Sequence, residues 1–187
     1  PEYVLEGNEV VKLYYLLGEN EVIVHIVWAG DSRVYLLDAN GLSQLTRDDT
    51  DVEDALENLT SDAPMKNVLS ADGDFELNYK AIRLEEPVLL LAATDGCFGY
   101  IPSPVEFEGV ILQKLIASET PRQFRDRLCE ELADYAGDDI AMGILSFNFG
   151  TFEQTKKILG KRFEMLNSQY LSKISDDEAE SRKTVWS

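Results

Sequence analysis

The chain is poor in the residues that most often carry chemistry alone. Its one histidine, His25, excludes a histidine-rich metal site and argues against a Ser-His-Asp triad. Its two cysteines, Cys97 and Cys129, are too few for a disulfide framework. That scarcity points to a reducing compartment, so a cytoplasmic location is expected. No apolar run approaches the roughly 20 residues of a membrane span, so no membrane association is expected. Basic residues are also scarce: 17 Lys and Arg stand against 35 Asp and Glu, a net charge of −18. Such a surface repels phosphate backbones, which argues against nucleic-acid binding, and it does not suit a basic membrane-surface protein. The first residue is Pro1 and nothing near it reads as a signal peptide, so the chain is expected to be a piece of a longer protein or a processed product.

What is present is material for one domain. The chain has 187 residues, 44% of them apolar, which is enough to bury a core. The acid is unevenly placed. Residues 151–187 are nearly neutral, with seven Lys/Arg and six Asp/Glu, whereas residues 1–150 carry ten against 29. This predicts an acidic body over 1–150 and an appendage over 151–187, a C-terminal helix with a polar tail.

Hydrophobic patterning predicts strands first. Val10–Leu17 and Glu21–Trp28 flank a turn at Gly18-Glu19-Asn20. The run from Val22 to Trp28 is too continuously apolar for a half-exposed strand and reads as a central one. Ala29-Gly30-Asp31-Ser32 interrupts it and Arg33–Leu37 resumes it. A turn ending at Gly41 leads to a return strand over Leu42–Thr46. Residues 48–62 are mostly acidic, read as a solvated face, with Val52, Leu56 and Leu59 spaced as one stripe of a short helix. Phe75–Arg83 and Val88–Ala93 read as strands, Ile101–Pro104 as a loop and Val110–Ser118 as a helix. Thr120, Pro121 and Gln123 supply an N-cap, a first helical residue and the third position of a capping box. Phe124, Leu128 and Leu132 form the buried face of that helix, Gly137 ends it, and Ile140–Phe147 is the last strand. From about Phe152 to Ile174 the pattern is helical, with Leu159, Phe163, Leu166, Tyr170 and Ile174 in one stripe. Strands and helices fall in blocks, which predicts an α+β layered sandwich rather than a doubly wound sheet.

Three carboxylates stand at strand ends: Asp31 in Ala-Gly-Asp-Ser-Arg, Asp95 in Ala-Thr-Asp-Gly-Cys, and Asp138, beside Asp139, in Gly-Asp-Asp-Ile. Taken singly, each has an ordinary explanation: a capping residue beside a salt-bridging Arg33, a turn pair, a loop. As an ordered set they carry more, because burying unpaired charge is costly and converging carboxylates call for cations. Oxygen-only ligands suit Mg²⁺ or Mn²⁺, and a pair of such ions suits hydrolysis of a phosphate ester.

The set resembles the metal-dependent protein phosphatase family, the type 2C serine/threonine phosphatases. Val27–Leu36, followed by Leu42–Asp49, is similar to the family's Gly-Asp-Ser-Arg strand and its Leu-Thr-x-Asp segment. Leu89–Gly96 is similar to the strand ending in Thr-Asp-Gly, and Gly137–Ala141 to the closing Asp-Asn/Asp-Ile-Thr motif. The match spans residues 22–147 in the family's order. The resemblance implies an α-β-β-α sandwich and hydrolysis of phosphoserine or phosphothreonine in a phosphoprotein substrate by a metal-bridging water. It implies that Asp95 and Asp138 ligate a two-metal Mg²⁺ or Mn²⁺ centre. Asp31 would serve a third, weaker metal site beside Asp95. The family's phosphate-binding arginine, early acidic residue and Asp-Gly-x-Gly-Gly loop have no counterpart before Val22, and Ala141 replaces the usual Thr. The alternative is therefore a phosphatase-like binding or regulatory module with an incomplete centre. His25 reads as a satisfied strand histidine and Cys97 as a small buried residue. The C-terminal helix packs on its own domain or serves as a docking surface.

Overall fold

The computed structural model describes residues 17–18, 21–49, 67 and 75–174. Most of the strand expected over Val10–Leu17, the turn residues Glu19 and Asn20, the helix carrying Val52, Leu56 and Leu59, and the tail from 175 lie outside them.

Seven strands form two antiparallel sheets. The first has the order β1 (Leu17–Gly18), β2 (Glu21–Trp28), β5 (Asn78–Leu84). The second has the order β4 (Gly41–Gln44), β3 (Arg33–Asp38), β6 (Val88–Ala93), β7 (Met142–Phe147). Residues 29–32 therefore do not interrupt one strand. They carry the chain from the first sheet to the second, because β2 pairs with β5 while β3 pairs with β4 and β6. Apolar runs mark strands but do not say which sheet each joins.

Between the sheets lies one core. Val22, Val24, Ile26 and Leu84 meet Val34, Val88 and Leu90. The other face of the second sheet, with Tyr35, Leu37, Leu89 and Leu91, is covered by helices that contribute Phe107, Ile111, Leu112, Leu115, Leu128, Leu132, Leu159 and Leu166. Burying each such side chain contributes about 1.5–3 kcal/mol, so these two layers dominate stability. β6 is buried on both faces, as its unbroken apolar run requires. The α+β layered architecture is as expected. Among the described residues it has three layers, two sheets and one layer of helices.

The helices are α1 (Pro104–Ile116), α2 (Pro121–Tyr135) and α3 (Phe152–Gln169). Helix α1 begins six residues earlier than the expected Val110. The Ser103 hydroxyl caps the Glu106 N–H at 3.2 Å and donates to the Glu106 carboxylate at 2.7 Å, with Pro104 at the first position. That Ser-Pro-x-Glu start signal overrides the loop reading of Ile101–Pro104. In α2, Thr120 caps Gln123 as expected, but Gln123 reaches back to the N–H of Glu119 rather than of Thr120. Helix α3 carries a complete capping box between Thr151 and Gln154. The stretch expected to be helical to Ile174 ends its α-helix at Gln169 and continues as a short turn over Leu171–Lys173. Ile140 and Ala141, expected in the last strand, instead precede β7. No helix among the described residues is long and apolar enough to cross a membrane.

Helix α3 is bolted to α1 by a buried ion pair. Arg162 Nε donates to Glu108 Oε1 at 2.6 Å and Nη2 to Oε2 at 3.0 Å, with only 15% and 5% of the side chains exposed. Arg162→Met leaves Glu108 buried without its partner and is expected to cost about 3 kcal/mol in urea unfolding. Adding Glu108→Gln is expected to restore most of that loss, because the pair matters less than an orphaned charge.

Candidate metal centre

The antiparallel register determines where the three carboxylates go. Arg33 pairs with Ala93, and Ala93 with Met142. The start of β3, the end of β6 and the start of β7 thus share one end of the second sheet. Asp31 stands two residues before β3, Asp95 two after β6, and Asp138 four before β7.

The Asp95 and Asp138 loops are packed backbone to backbone. The N–H of Thr94 donates to Ala141 O at 3.0 Å, and the N–H of Ala141 to Thr94 Oγ1 at 3.0 Å. Gly96 lies so close to the Asp139 carbonyl that a Cβ there would overlap its oxygen. Here glycine is required by close approach, not merely by a turn. After Asp95 the chain makes one helical turn, Asp95–Cys97, and Asp95 Oδ1 accepts the N–H of Gly96 at 2.8 Å. Asp138 Oδ1 likewise accepts the N–H of Asp139 at 2.7 Å.

Asp31 faces Asp95. Burial first, and then the Asp95 charge, push its carboxyl above the usual range. The nearby cation, Arg33, is committed elsewhere. Its Nε donates to both oxygens of Asp48, at 2.9 and 3.0 Å, and its Nη2 to Oδ2 at 2.5 Å. The pair is buried, with 10% of the Arg33 and 7% of the Asp48 side chain exposed, and the guanidinium lies 4.2 Å from the centre of the Phe98 ring. Arg33 is therefore Asp48's partner, not the salt bridge to Asp31 that the bare sequence allows.

Of the further contributors, Thr46 and Asp48 lie in the segment similar to the family's Leu-Thr-x-Asp, whereas Asn67 and Asn78 were not singled out from sequence. Asp48 and Asp49 open an acidic stretch that reads as a solvated face, yet both are used inward. Thr46 Oγ1 accepts the N–H of Val34 at 3.0 Å, Asp48 holds Arg33, and Asp49 Oδ2 accepts the N–H of Gly30 at 3.1 Å. Asn67 and Asn78 also donate to Asp49, at 2.7 and 2.9 Å. For Thr46 and Asp48 the usable signal was the Leu-Thr-x-Asp match over 45–48, just after β4. His25 bonds through Nδ1 to the Tyr79 hydroxyl at 2.6 Å, on the β2–β5 face, as a satisfied strand histidine. Cys97 is 2% exposed and burial raises its thiol pKa, whereas Cys129 is exposed.

The donor chemistry fits a hard divalent cation: hard carboxylate oxygens at one end of a sheet, with the adjacent arginine already paired. The supply is short. Among the described residues no three His, Cys, Asp or Glu side chains form a group that could hold a metal ion.

No protein-family model matches the chain. It is 29% identical over 148 residues to the serine/threonine phosphatase Stp of Listeria welshimeri, covering 74% of this chain and 56% of that protein. Its fold is similar to that of the serine/threonine phosphatase Stp1 from Staphylococcus aureus, with a TM-score of 0.56, 22% identity, and 73% and 55% of the two chains covered. It is also similar to the catalytic domain of the serine/threonine phosphatase PstP in complex with two manganese ions, with a TM-score of 0.51, 20% identity, and 71% and 56% covered. The class is thus an α+β sandwich of the type 2C phosphatase kind. Within that class the chain is similar to the serine/threonine phosphatases of the metal-dependent family, as its motifs indicate, and spans about half the length of the relatives it matches.

Two outcomes test this geometry. Gly96→Ala forces the Asp139 carbonyl away and is expected to cost about 1–3 kcal/mol in chemical unfolding. In the folded protein at pH 8, one thiol equivalent, Cys129, is expected to react quickly with a disulfide reagent. Cys97 is expected to react only after denaturant is added.

Proposed function

We propose that this chain carries part of the active centre of a Mg²⁺- or Mn²⁺-dependent protein serine/threonine phosphatase. The single observation behind this is the convergence of the Asp31, Asp95 and Asp138 segments at one end of the second sheet, in a chain similar to serine/threonine phosphatases. Asp95 and Asp138 would hold the ions, and Asp31 would serve an additional site beside Asp95. When bound, the ions would supply Lewis acidity and an activated water for hydrolysis of a phosphoserine or phosphothreonine ester.

This chain's own contribution is placement. Gly96 lets the Asp95 and Asp138 loops touch, and Thr94 locks them together. The Arg33–Asp48 pair keeps the guanidinium from neutralising Asp31. The net charge of −18 favours phosphoprotein substrates with basic flanking residues over acidic ones.

Metal binding is testable without catalysis. At 100 times its dissociation constant, Mn²⁺ is expected to stabilise the chain by about 2.7 kcal/mol, which raises Tm by roughly 5–11 °C. Asp95→Asn combined with Asp138→Asn is expected to remove that shift. Hydrolysis of a phosphothreonine peptide should be assayed on this chain and on any longer natural reading frame that contains it. Mn²⁺-dependent activity that disappears with Asp95→Asn supports the enzyme. Metal binding without hydrolysis in either favours a phosphatase-like binding module, and no metal effect at all defeats the reading.

A further inference from the structure

We infer that Asp49 is a positioning residue for Asp31, holding the Gly30–Asp31 turn in place at the end of the second sheet. The inference rests on the reading of Asp31 as a metal ligand.

Asp49 grips Gly30 at both of its backbone polar groups. The N–H of Gly30 donates to Asp49 Oδ2 at 3.1 Å, and the N–H of Asp49 donates to Gly30 O at 3.0 Å. Gly30 has φ of +94°, a conformation open to glycine that a residue with a Cβ resists, so the turn requires Gly30 while Asp49 fixes its position. Two side-chain amides hold Asp49 in turn. Asn78 Nδ2, at the start of β5, reaches Oδ1 at 3.0 Å and Oδ2 at 2.9 Å. Asn67 Nδ2 reaches Oδ2 at 2.7 Å, and Asn67 is itself tied to Glu76 through its carbonyl and N–H, at 2.7 and 2.9 Å.

One carboxylate thus joins four parts of the chain: the crossover between the sheets, the segment after β4, Asn67, and β5. Hydrogen bonds to an ionised carboxylate are roughly twice as strong as neutral ones. Asp31 is the next residue after the gripped glycine, so a change at Asp49 reaches it through one peptide unit. A neutral amide at position 49 keeps the shape but loses the charge, and turns an NH₂ group toward donors.

The proposal separates from a purely structural role by a cycle. Wild type, Asp49→Asn, Asp31→Asn and the double variant of this chain are compared by circular dichroism, by amide hydrogen exchange at Gly30 without metal, and by Mn²⁺ affinity. Asp49→Asn is expected to speed Gly30 exchange at least tenfold and to weaken Mn²⁺ binding by about 10–100-fold, the usual effect of losing a group that orients a ligand. In the Asp31→Asn background the second substitution is expected to add nothing, because Asp49 acts through Asp31. If Asp49→Asn fails to fold, Asn78→Ala serves instead, with a smaller effect in the same direction. A wild type that binds Mn²⁺, with affinity indifferent to Asp49 or with additive losses in the double variant, overturns the proposal alone. A wild type that binds no Mn²⁺ overturns the metal reading, and the positioning role with it.

Discussion

The Arg33–Asp48 ion pair is the constraint on which the site depends. It lies where the chain has just crossed between sheets, and it ties the first residue of β3 to the segment that follows β4. A buried pair of this kind is poor evidence of stability, since well-packed apolar residues often do as well. Its value here is in arrangement. Removing either member leaves the other charged and buried, so the alternatives are all costly. Only a crossover loop folded back on residues 46–49 satisfies both. The Thr46 hydroxyl on Val34 and the Asp49 carboxylate on Gly30 belong to the same closure. Asp31 is carried within this closed loop and inherits its rigidity.

The remaining carboxylates are placed by other means. The ladder of β3, β6 and β7 sets which residues end together, and an antiparallel sheet does this to within one residue or not at all. Asp95 and Asp138 lie just past the ladder, where no strand partner restrains them. Their loops are instead held by Thr94 and Ala141, which exchange backbone and hydroxyl bonds, and by the contact at Gly96. Ala141 replaces a threonine of the resembled family, yet only its backbone atoms are used in this lock. The substitution therefore leaves the loop contact intact.

Much of this was legible in the sequence, for identifiable reasons. The apolar runs of β2 and β6 announce strands because burial on a sheet demands them. The start of α2 is written in Thr120 and Pro121, since capping is a local matter of a few residues. The order of the three aspartates survives because strand ends are where a carboxylate can be spared from the core. What was not legible is what depends on distant partners. The handover from one sheet to the other at residues 29–32 leaves no period in the sequence. Arg33 and Asp48 are 15 positions apart, and Asp49 and Asn78 are 29 apart, with no spacing rule that links them. The acidic stretch misleads because composition averages over it. Its first two residues face inward, and an average cannot show that.

The charge arrangement gives the last step. An excess of carboxylate is ordinarily relieved by solvent or by neighbouring arginine and lysine. At this end of the second sheet neither relief is complete. Asp31 is half-buried beside Asp95, and Arg33 spends its guanidinium on Asp48 and on the face of Phe98. In both Asp95 and Asp138, Oδ1 turns to the N–H of the next residue, which orients the group without neutralising it. A carboxylate has two oxygens, and one backbone bond leaves the charge largely available. Had the fold needed these acids only as turn formers, asparagine would serve the same bonds without the repulsion that Asp95 exerts on Asp31. The repulsion is tolerated at the one place where three strand ends converge. That combination is the ground of the proposal that a divalent cation sits here, and it rests on the acids rather than on the fold that carries them.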